Sequence, residues 1–556
     1  MTVPPDPQLP DDYHRQLDLI AEMSHAFANS RDLDQTLHQG LARVAAFVDA
    51  EAASLFLIDE KTGELVCRAC VGPVDITGLR LAPGTGVVGK VVEKNQAMFV
   101  KEAGRDPHFG ALVDAKTGFS TRSILCAPLS VRSERLGAIE LLNKAGGQLF
   151  HSSDRQLLRT LGVSAALAIS NARLTRGLVE QERLRREVEL AAEIQRGMLP
   201  SHRPKDCPVA GINRPAYAVS GDFFDILPLS DERVAFAVGD VSGKGINASL
   251  LMAKTISLFH CLAKAHRRPG ALLAAINAEL CETAGAGGTF VTMVAGFLDR
   301  RSGTILLANA GHEPPLLHQG LTFTSFDADT PPLGIAVDLV PQNMPETWLA
   351  LGGGCLYLFT DGLTESSCDG VMLGSQGVER MINSVAALDL DHRLTAIIEA
   401  LTKGAAVLRD DLTLMAVEDF RPKPLFASRF KASPDGLCEL RQRVEAAAGA
   451  AGCSAESAAE VVLAVDEAVQ NILRHAYHGE GDVYLEIRVV AEEGLEIQLI
   501  DFAAPVDVSQ IGPRPIDKLR PGGLGTHFIR TIMDQVCFLP APEGAGNLLR
   551  MTKALS

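Results

Sequence analysis

The stretch Val234-Ala235-Phe236-Ala237-Val238-Gly239-Asp240-Val241-Ser242-Gly243-Lys244-Gly245 decides how the middle of this chain reads. Five apolar residues make a buried strand, and a carboxylate follows almost at once. Such a carboxylate is held rigidly by the strand while its head stays near solvent. The pattern recurs. Asp361 ends the apolar run Leu356–Phe359, Asp410 and Asp411 precede Leu412-Thr413-Leu414, and Asp222 and Asp225 lie beside Gly221. Singly, an Asp-Gly pair at a strand end is explained by the turn preference of both residues. As a set they point elsewhere, because converging carboxylates repel unless cations sit between them. Hard oxygen donors favour magnesium or manganese. Two such ions can hold a phosphoryl group and activate a bridging water.

Working outward, strand-like runs recur at Val209–Asn213, Thr289–Leu298, Thr304–Asn309, Cys355–Phe359 and Leu412–Val417. Helical patterns interrupt them at Ala248–His266 and Pro269–Ala284. Many strands with a helix pair predict a β-sandwich flanked by helices over residues 201–420. The ordered motifs are Glu193-Ile194-Gln195 with Leu199-Pro200, Ser220-Gly221-Asp222-Phe223-Phe224-Asp225, Gly239 to Gly245, Asn309-Ala310-Gly311-His312-Glu313-Pro314-Pro315, Leu333-Gly334-Ile335, Phe359-Thr360-Asp361-Gly362-Leu363-Thr364-Glu365 and Asp410-Asp411-Leu412-Thr413. This set resembles the SpoIIE/RsbU branch of the PPM (protein phosphatase 2C-like) serine/threonine phosphatases. The resemblance implies two Mn2+ or Mg2+ ions. Asp240, also the catalytic residue, would bridge them with the carbonyl of Val241. Asp361 and Asp410 would complete one site, and Asp222 would support the other, directly or through water. Asp225 and Asp411 would stand behind the ligands, and His312 reads as part of a fixed turn. The implied substrate is a phosphorylated anti-anti-sigma protein of the STAS type.

Beyond Arg421-Pro422-Lys423-Pro424, which with residues up to 429 reads as a linker, a third segment runs from 430 to 556. Helices are expected from about Asp435 to Ala448 and from Ser454 to Tyr477, strands at Val483–Val490 and Leu495–Asp501, and a helix over Thr526–Val536 behind Gly522-Gly523-Leu524-Gly525. Glu467 and Asn471 are four apart, hence on one helical face. A glycine-rich loop at a helix start offers backbone N–H groups to phosphates. The order resembles the Bergerat-fold (GHKL, HATPase) domains of anti-sigma serine kinases, an α/β sandwich that binds Mg-ATP. The resemblance makes Glu467 the general base, Asn471 the magnesium ligand, Asp501 the acceptor of the adenine amine, and Gly523 and Gly525 the phosphate-loop residues. The family has Asp-x-Gly at the adenine position, where this chain has Asp501-Phe502-Ala503. The alternative is a partner-switching module that binds a sigma factor or STAS partner without kinase activity.

Residues 15–172 alternate helix and strand signals. A helix is expected over Leu33–Val48, strands at Ala53–Asp59, Leu65–Cys67, Ser123–Pro128 and Gly137–Leu142, and a closing helix from Ser153 to about Asn171. Glu51 to Leu57, Pro83 to Gly89, Asp106-Pro107-His108-Phe109 and Leu136 to Lys144 together resemble GAF sensory domains, α/β folds that take a small-molecule ligand. Asn143-Lys144 with Phe150 and Asp154 is also similar to the motif of cyclic-nucleotide-binding GAF domains, which continues with Glu where this chain has Arg155. The plainer reading is that Asn-Lys and Asp pin the last strand to the closing helix. Residues 173–200 read as a helical connector, either a parallel coiled coil that makes a homodimer or a single solvated helix. The whole is an α+β multidomain chain.

The bulk numbers agree. The 556 residues suit three or four domains, and 47% hydrophobic with 22% charged residues suits folded cores. A formal charge of -16 disfavours nucleic acid as a partner. The 11 scattered cysteines suit a reducing compartment. Residues 1–14, rich in Pro and Asp near the start, read as a disordered tail and not a signal peptide. No apolar run reaches bilayer length. The expectation is a soluble cytoplasmic signalling protein, with no membrane partner.

Overall fold

A computed structural model describes residues 33–106, 118–200, 206–283, 288–368, 371–402, 408–433, 436–506 and 525–555, with isolated positions 15, 18–19, 21–23, 25, 114 and 203. The tail at 1–14 therefore lies outside the described residues. The chain divides into two compact units, Met1–Arg186 and Glu187–Ser556.

The first unit is built on a six-stranded antiparallel sheet. Its strand order is Arg80–Leu81, Leu65–Val71, Ala50–Ile58, Glu134–Lys144, Ile124–Val131 and Met98–Val100. Side chains alternate across it, as the strand period requires. Leu55 and Leu57 join helix residues Leu37, Leu41, Val44, Leu158 and Ile169 in one core. Phe56 faces the other way, onto Val87, Val88 and Val91 of the helix Gly86–Lys94. The helix expected over Leu33–Val48 has those bounds. The closing helix does not stop near Asn171: a single helix runs Ser152–Met198, 47 residues. Composition changes at Asn171 but no proline interrupts, so nothing local breaks the hydrogen-bond ladder.

The second unit opens with a β-sandwich. One sheet has the order Thr347–Ala350, Thr304–Ala310, Val291–Asp299, Arg233–Val241, Phe223–Pro228. The other runs Thr322–Ser325, Leu316–Gln319, Cys355–Phe359, Leu412–Glu418, Val209–Arg214. Every pairing is antiparallel. Phe224, Ile226, Phe236 and Val238 meet Leu356, Leu358 and Met415 between the sheets. The outer face of the first sheet is covered by helices Ile246–Leu262 and Pro269–Thr283, that of the second by Gly374–Val385 and Leu390–Thr402.

A five-stranded antiparallel sheet completes this unit, in the order Phe426–Ala432, Gly481–Val490, Gly494–Asp501, Asn547–Lys553, Gln535–Leu539. Its first strand begins inside the stretch read as a linker. Helices Leu437–Ala450, Ala455–Asn471 and Gly525–Ile532 pack on one face. Ser454 caps the second of them, its hydroxyl accepting from Ser457 N at 3.2 Å. The other face of the sheet is covered in its central part. Tyr484, Ile500 and Leu548 pack against Trp348 and Ala350 on the edge strand of the sandwich. Beside this cluster lies a buried polar network. Arg421 pairs with Asp419 and Glu486, Arg488 pairs with Glu486 and donates to Pro422 O at 2.6 Å, and Tyr484 donates to Glu486 at 2.7 Å.

Candidate active site

Topology brings the candidate carboxylates of the sandwich to one end. Asp222 precedes strand Phe223–Pro228 and Asp240 lies near the end of its antiparallel neighbour Arg233–Val241, with Phe223 opposite Gly239. In the other sheet Asp361 follows Cys355–Phe359, and Asp410 and Asp411 precede the antiparallel Leu412–Glu418. Asp222 ties the two sheets together: its Oδ2 accepts from Thr360 Oγ1 at 2.6 Å and Thr413 Oγ1 at 2.8 Å. Burial and the neighbouring Asp240 carboxylate push its pKa well up. Asp240 is raised to about 6, first by burial and then by the charges of Asp361, Asp410 and Asp411, against a lowering contact with Asp222. Asp361 is raised by burial and by Asp410 and Glu365. Glu313, raised by burial, Asp361 and Glu365, enlarges the acidic field.

Gly221 lies against this cluster. A β-carbon there would stand 2.9 Å from Val241 O and 3.2 Å from Asp240 Oδ1. The two oxygens thus face one small space that glycine keeps open. Among the described residues, no three His, Cys, Asp or Glu side chains form a ready-made metal cage. The donors still fit a hard divalent ion, which keeps most of its waters and takes one or two carboxylates or a carbonyl. An all-protein cage belongs to softer or larger ions.

The residues expected behind the ligands separate. Asp411 anchors the loop that carries Gly221: Oδ1 accepts from Ala216 N at 2.7 Å, and Oδ2 from Ser220 Oγ at 2.7 Å and Gly221 N at 3.1 Å. Asp225 points to the helix side of its sheet, 3.3 Å from His260 Nδ1. His312 is buried, its Nδ1 2.9 Å from Thr292 Oγ1, with a pKa lowered by burial to about 4. Asn309 clasps the His312 backbone at 2.9 and 3.1 Å. Sequence reasoning passed over Lys244. Its Nζ lies 3.2 Å from Asp410 Oδ2 and 5.4 Å from the Tyr217 ring centroid. The signal was its place between Gly243 and Gly245, whose φ values are +95° and +84°.

In the C-terminal fold, Glu467 and Asn471 both look onto the start of helix Gly525–Ile532. A β-carbon at Gly525 would collide with Glu467 Oε2 and stand 3.4 Å from Asn471 Nδ2. A π-helical segment, Ile472–Tyr477, follows Asn471 directly. Asp501 is buried at the end of its strand. It accepts from Asn547 Nδ2 at 2.9 and 3.2 Å and from Ala503 N at 3.1 Å. Ala503 keeps a negative φ, so its methyl adds no backbone strain. Gly523 lies outside the described residues.

In the first unit, Asn143 is a buried hub. It accepts from Arg122 N and Ser123 N and donates to Glu51 Oε2 and Ser120 O, and Lys144 pairs with Asp154 at 2.7 Å. The plainer reading of that motif is thus the one these contacts support.

Three family models match in sequence order: the GAF domain over residues 32–169, Stage II sporulation protein E (SpoIIE) over 230–419, and the histidine kinase-like ATPase domain over 430–553. The chain therefore carries, in this order, segments that match a GAF, a SpoIIE and a histidine kinase-like ATPase model. It is similar to the phosphoserine phosphatase RsbU of Bacillus subtilis, 26% identical over 283 residues that make up 50% of this chain and 82% of RsbU. Its GAF domain is similar to a probable 3′,5′-cyclic phosphodiesterase, pde-5, of Caenorhabditis elegans, 32% identical over 138 residues. Those are 23% of this chain and 19% of that protein, so the chain spans only a small part of it. Among solved structures it is similar to the RsbU and RsbW domains of Rv1364c from Mycobacterium tuberculosis (22% identity, 62% of this chain and 94% of that one, TM-score 0.34). No helix among the described residues is long and apolar enough to cross a membrane.

Proposed function

We propose that the SpoIIE domain is a metal-dependent phosphoserine/phosphothreonine protein phosphatase whose substrate is a STAS-type anti-anti-sigma protein. The observation that carries this reading is the open space shared by Asp240 Oδ1 and the Val241 carbonyl, beside Gly221 and inside a ring of mutually repelling carboxylates. Asp240 with Val241, Asp361 and Asp410 would hold two Mn2+ or Mg2+ ions, with Asp222 supporting them from behind through its contact with Asp240. When bound, the ions supply a nucleophilic water and offset phosphoryl charge. The protein's part is positional. Thr360 and Thr413 fix Asp222, and Asp411 fixes the Ser220–Gly221 loop, so the oxygens need not reorganise during reaction. The test is release of phosphate from a phosphoserine STAS protein by the full chain with Mn2+. Activity should vanish with EDTA and in Asp240→Asn; activity retained in Asp240→Asn sinks the metal assignment.

The same reading makes the GAF domain a sensor for a small molecule and the long helix a route to a homodimer, since Leu174, Leu178 and Leu184 are exposed along it. The protein would act in the cytoplasm. In the ATPase domain, Glu467, Asn471, Asp501, Gly523 and Gly525 would bind Mg-ATP, Glu467 serving as base for transfer to a serine. A second reading keeps partner binding without the kinase: Asn547 already engages both oxygens of Asp501. Transfer of labelled phosphate from ATP to the STAS protein, lost in Glu467→Gln, separates the two.

A further inference from the structure

The acidic end of the sandwich poses an electrostatic problem for its own substrate. A phosphoserine brings about two negative charges to a site already lined by Asp222, Asp240, Asp361, Asp410 and Glu313. Two divalent ions held by Asp240, Asp361 and Asp410 would offset much of that charge from the carboxylate side. Among the described residues, Lys244 is the one Lys or Arg side chain ion-paired to any of this set. It is not a surface lysine that happened to fall nearby. The Gly243–Gly245 turn, with φ positive on both sides of Lys244, delivers it to Asp410. The Tyr217 ring flanks the ammonium and Arg409 O accepts from it at 3.4 Å. About half of the side chain remains exposed (54%), so a ligand arriving from solvent can reach it.

We propose that Lys244 is a substrate-binding residue of this phosphatase: its ammonium rests on Asp410 in the metal-free protein and moves to a non-bridging phosphoryl oxygen when metal and substrate are present. The inference rests on the phosphatase reading above. In the hydrolysis it serves, water oxygen forms the new P–O bond, the bond from phosphorus to the seryl oxygen breaks, and that oxygen takes a proton. Lys244 gives up no proton; it holds charge and position. Arg has the same charge and would keep most of the function, whereas Gln would not.

The test uses the full chain and three measurements on Lys244→Gln and Lys244→Arg. For Lys244→Gln we expect kcat/KM on a phosphoserine protein to fall about 10- to 100-fold and inhibition by inorganic phosphate to weaken about tenfold. Lys244→Arg should restore most of both. Mn2+ affinity, read by calorimetry without substrate, should be unchanged or tighter in Lys244→Gln, because a cation competing for Asp410 is gone. Unaltered phosphate inhibition in Lys244→Gln overturns the proposal. So does weakened Mn2+ binding that accounts for the lost activity. Failure of the parent reading looks different: the wild-type chain then shows no Mn2+-dependent activity, or Asp240→Asn keeps it.

Discussion

Asp410 and Asp411 are adjacent and chemically identical, yet they have different partners, and the proposed division of work between them can be measured. Asp411 receives three hydrogen bonds, from Ala216 N, Ser220 Oγ and Gly221 N. Bonds to a charged acceptor contribute about 1.5–3 kcal/mol each, and the backbone donors left behind are costly when buried. Some of that is recovered by water and loop relaxation, so Asp411→Ala should destabilise the metal-free protein by about 3–5 kcal/mol. Asp410 accepts from the half-exposed Lys244, a pair worth at most about 1 kcal/mol, and from Asp411 N at 3.0 Å. Asp410→Ala should therefore cost at most about 1–2 kcal/mol in the metal-free protein, with relief of repulsion on Asp361 offsetting part of it. The assay is urea unfolding of the EDTA-treated full chain, followed by Mn2+ titration of each variant. Asp410→Ala should lose Mn2+-induced stabilisation while folding normally. If Asp411→Ala unfolds at the wild-type midpoint in EDTA, or if Asp410→Ala keeps wild-type Mn2+ affinity, the assignment of roles is wrong.

Three further outcomes are expected. Asp240, with a folded pKa of about 6, holds a proton that the unfolded chain has already released, so metal-free stability should fall as pH rises from about 4 to 6. The ceiling of about 3 kcal/mol shrinks to about 1–2 for a partly exposed group, and thermal scans in EDTA should show that part of the slope missing in Asp240→Asn. Trp348, the chain's single tryptophan, contacts Phe502 next to Asp501, with ring centroids 4.8 Å apart. Mg-ATP should shift its emission, and an unchanged spectrum with ATP bound by calorimetry would refute that link. Asn143→Ala removes four buried or half-buried hydrogen bonds and should lower the GAF unfolding transition by about 2–4 kcal/mol in differential scanning calorimetry.

Much of this was legible from residues alone, where local pattern and structural need coincide. Strand Arg233–Val241 and its terminal carboxylate followed from an unbroken apolar run, and Glu467 with Asn471 from helical spacing. What escaped was structure whose reason is non-local. Strand Phe223–Pro228 contains Asp225, a buried carboxylate whose side-chain partner, His260, comes from a helix distant in sequence. Strand Phe426–Ala432 alternates with Arg429 and Lys431 behind two prolines, and it becomes a strand by pairing with Gly481–Val490. Edge strand Thr347–Ala350 is four residues long, too short for any period to declare itself. Lys244 was visible in its motif, but only its contact with Asp410 shows where it points.

The centre of the ATPase sheet's outer face is covered by the sandwich, and this limits how the chain can be taken apart or shuffled. Tyr484, Glu486 and Arg488 would be stranded in solvent, along with an Arg421 cut from its partners, if the last domain were transplanted without the sandwich. A cut at residue 430 would therefore yield a sticky, partly uncompensated surface and not a clean module. The sandwich and the ATPase fold belong to one compact unit, Glu187–Ser556. In a lineage that trades sensors, exchange should fall on the GAF side of the chain, while the two C-terminal domains co-vary across their shared seam.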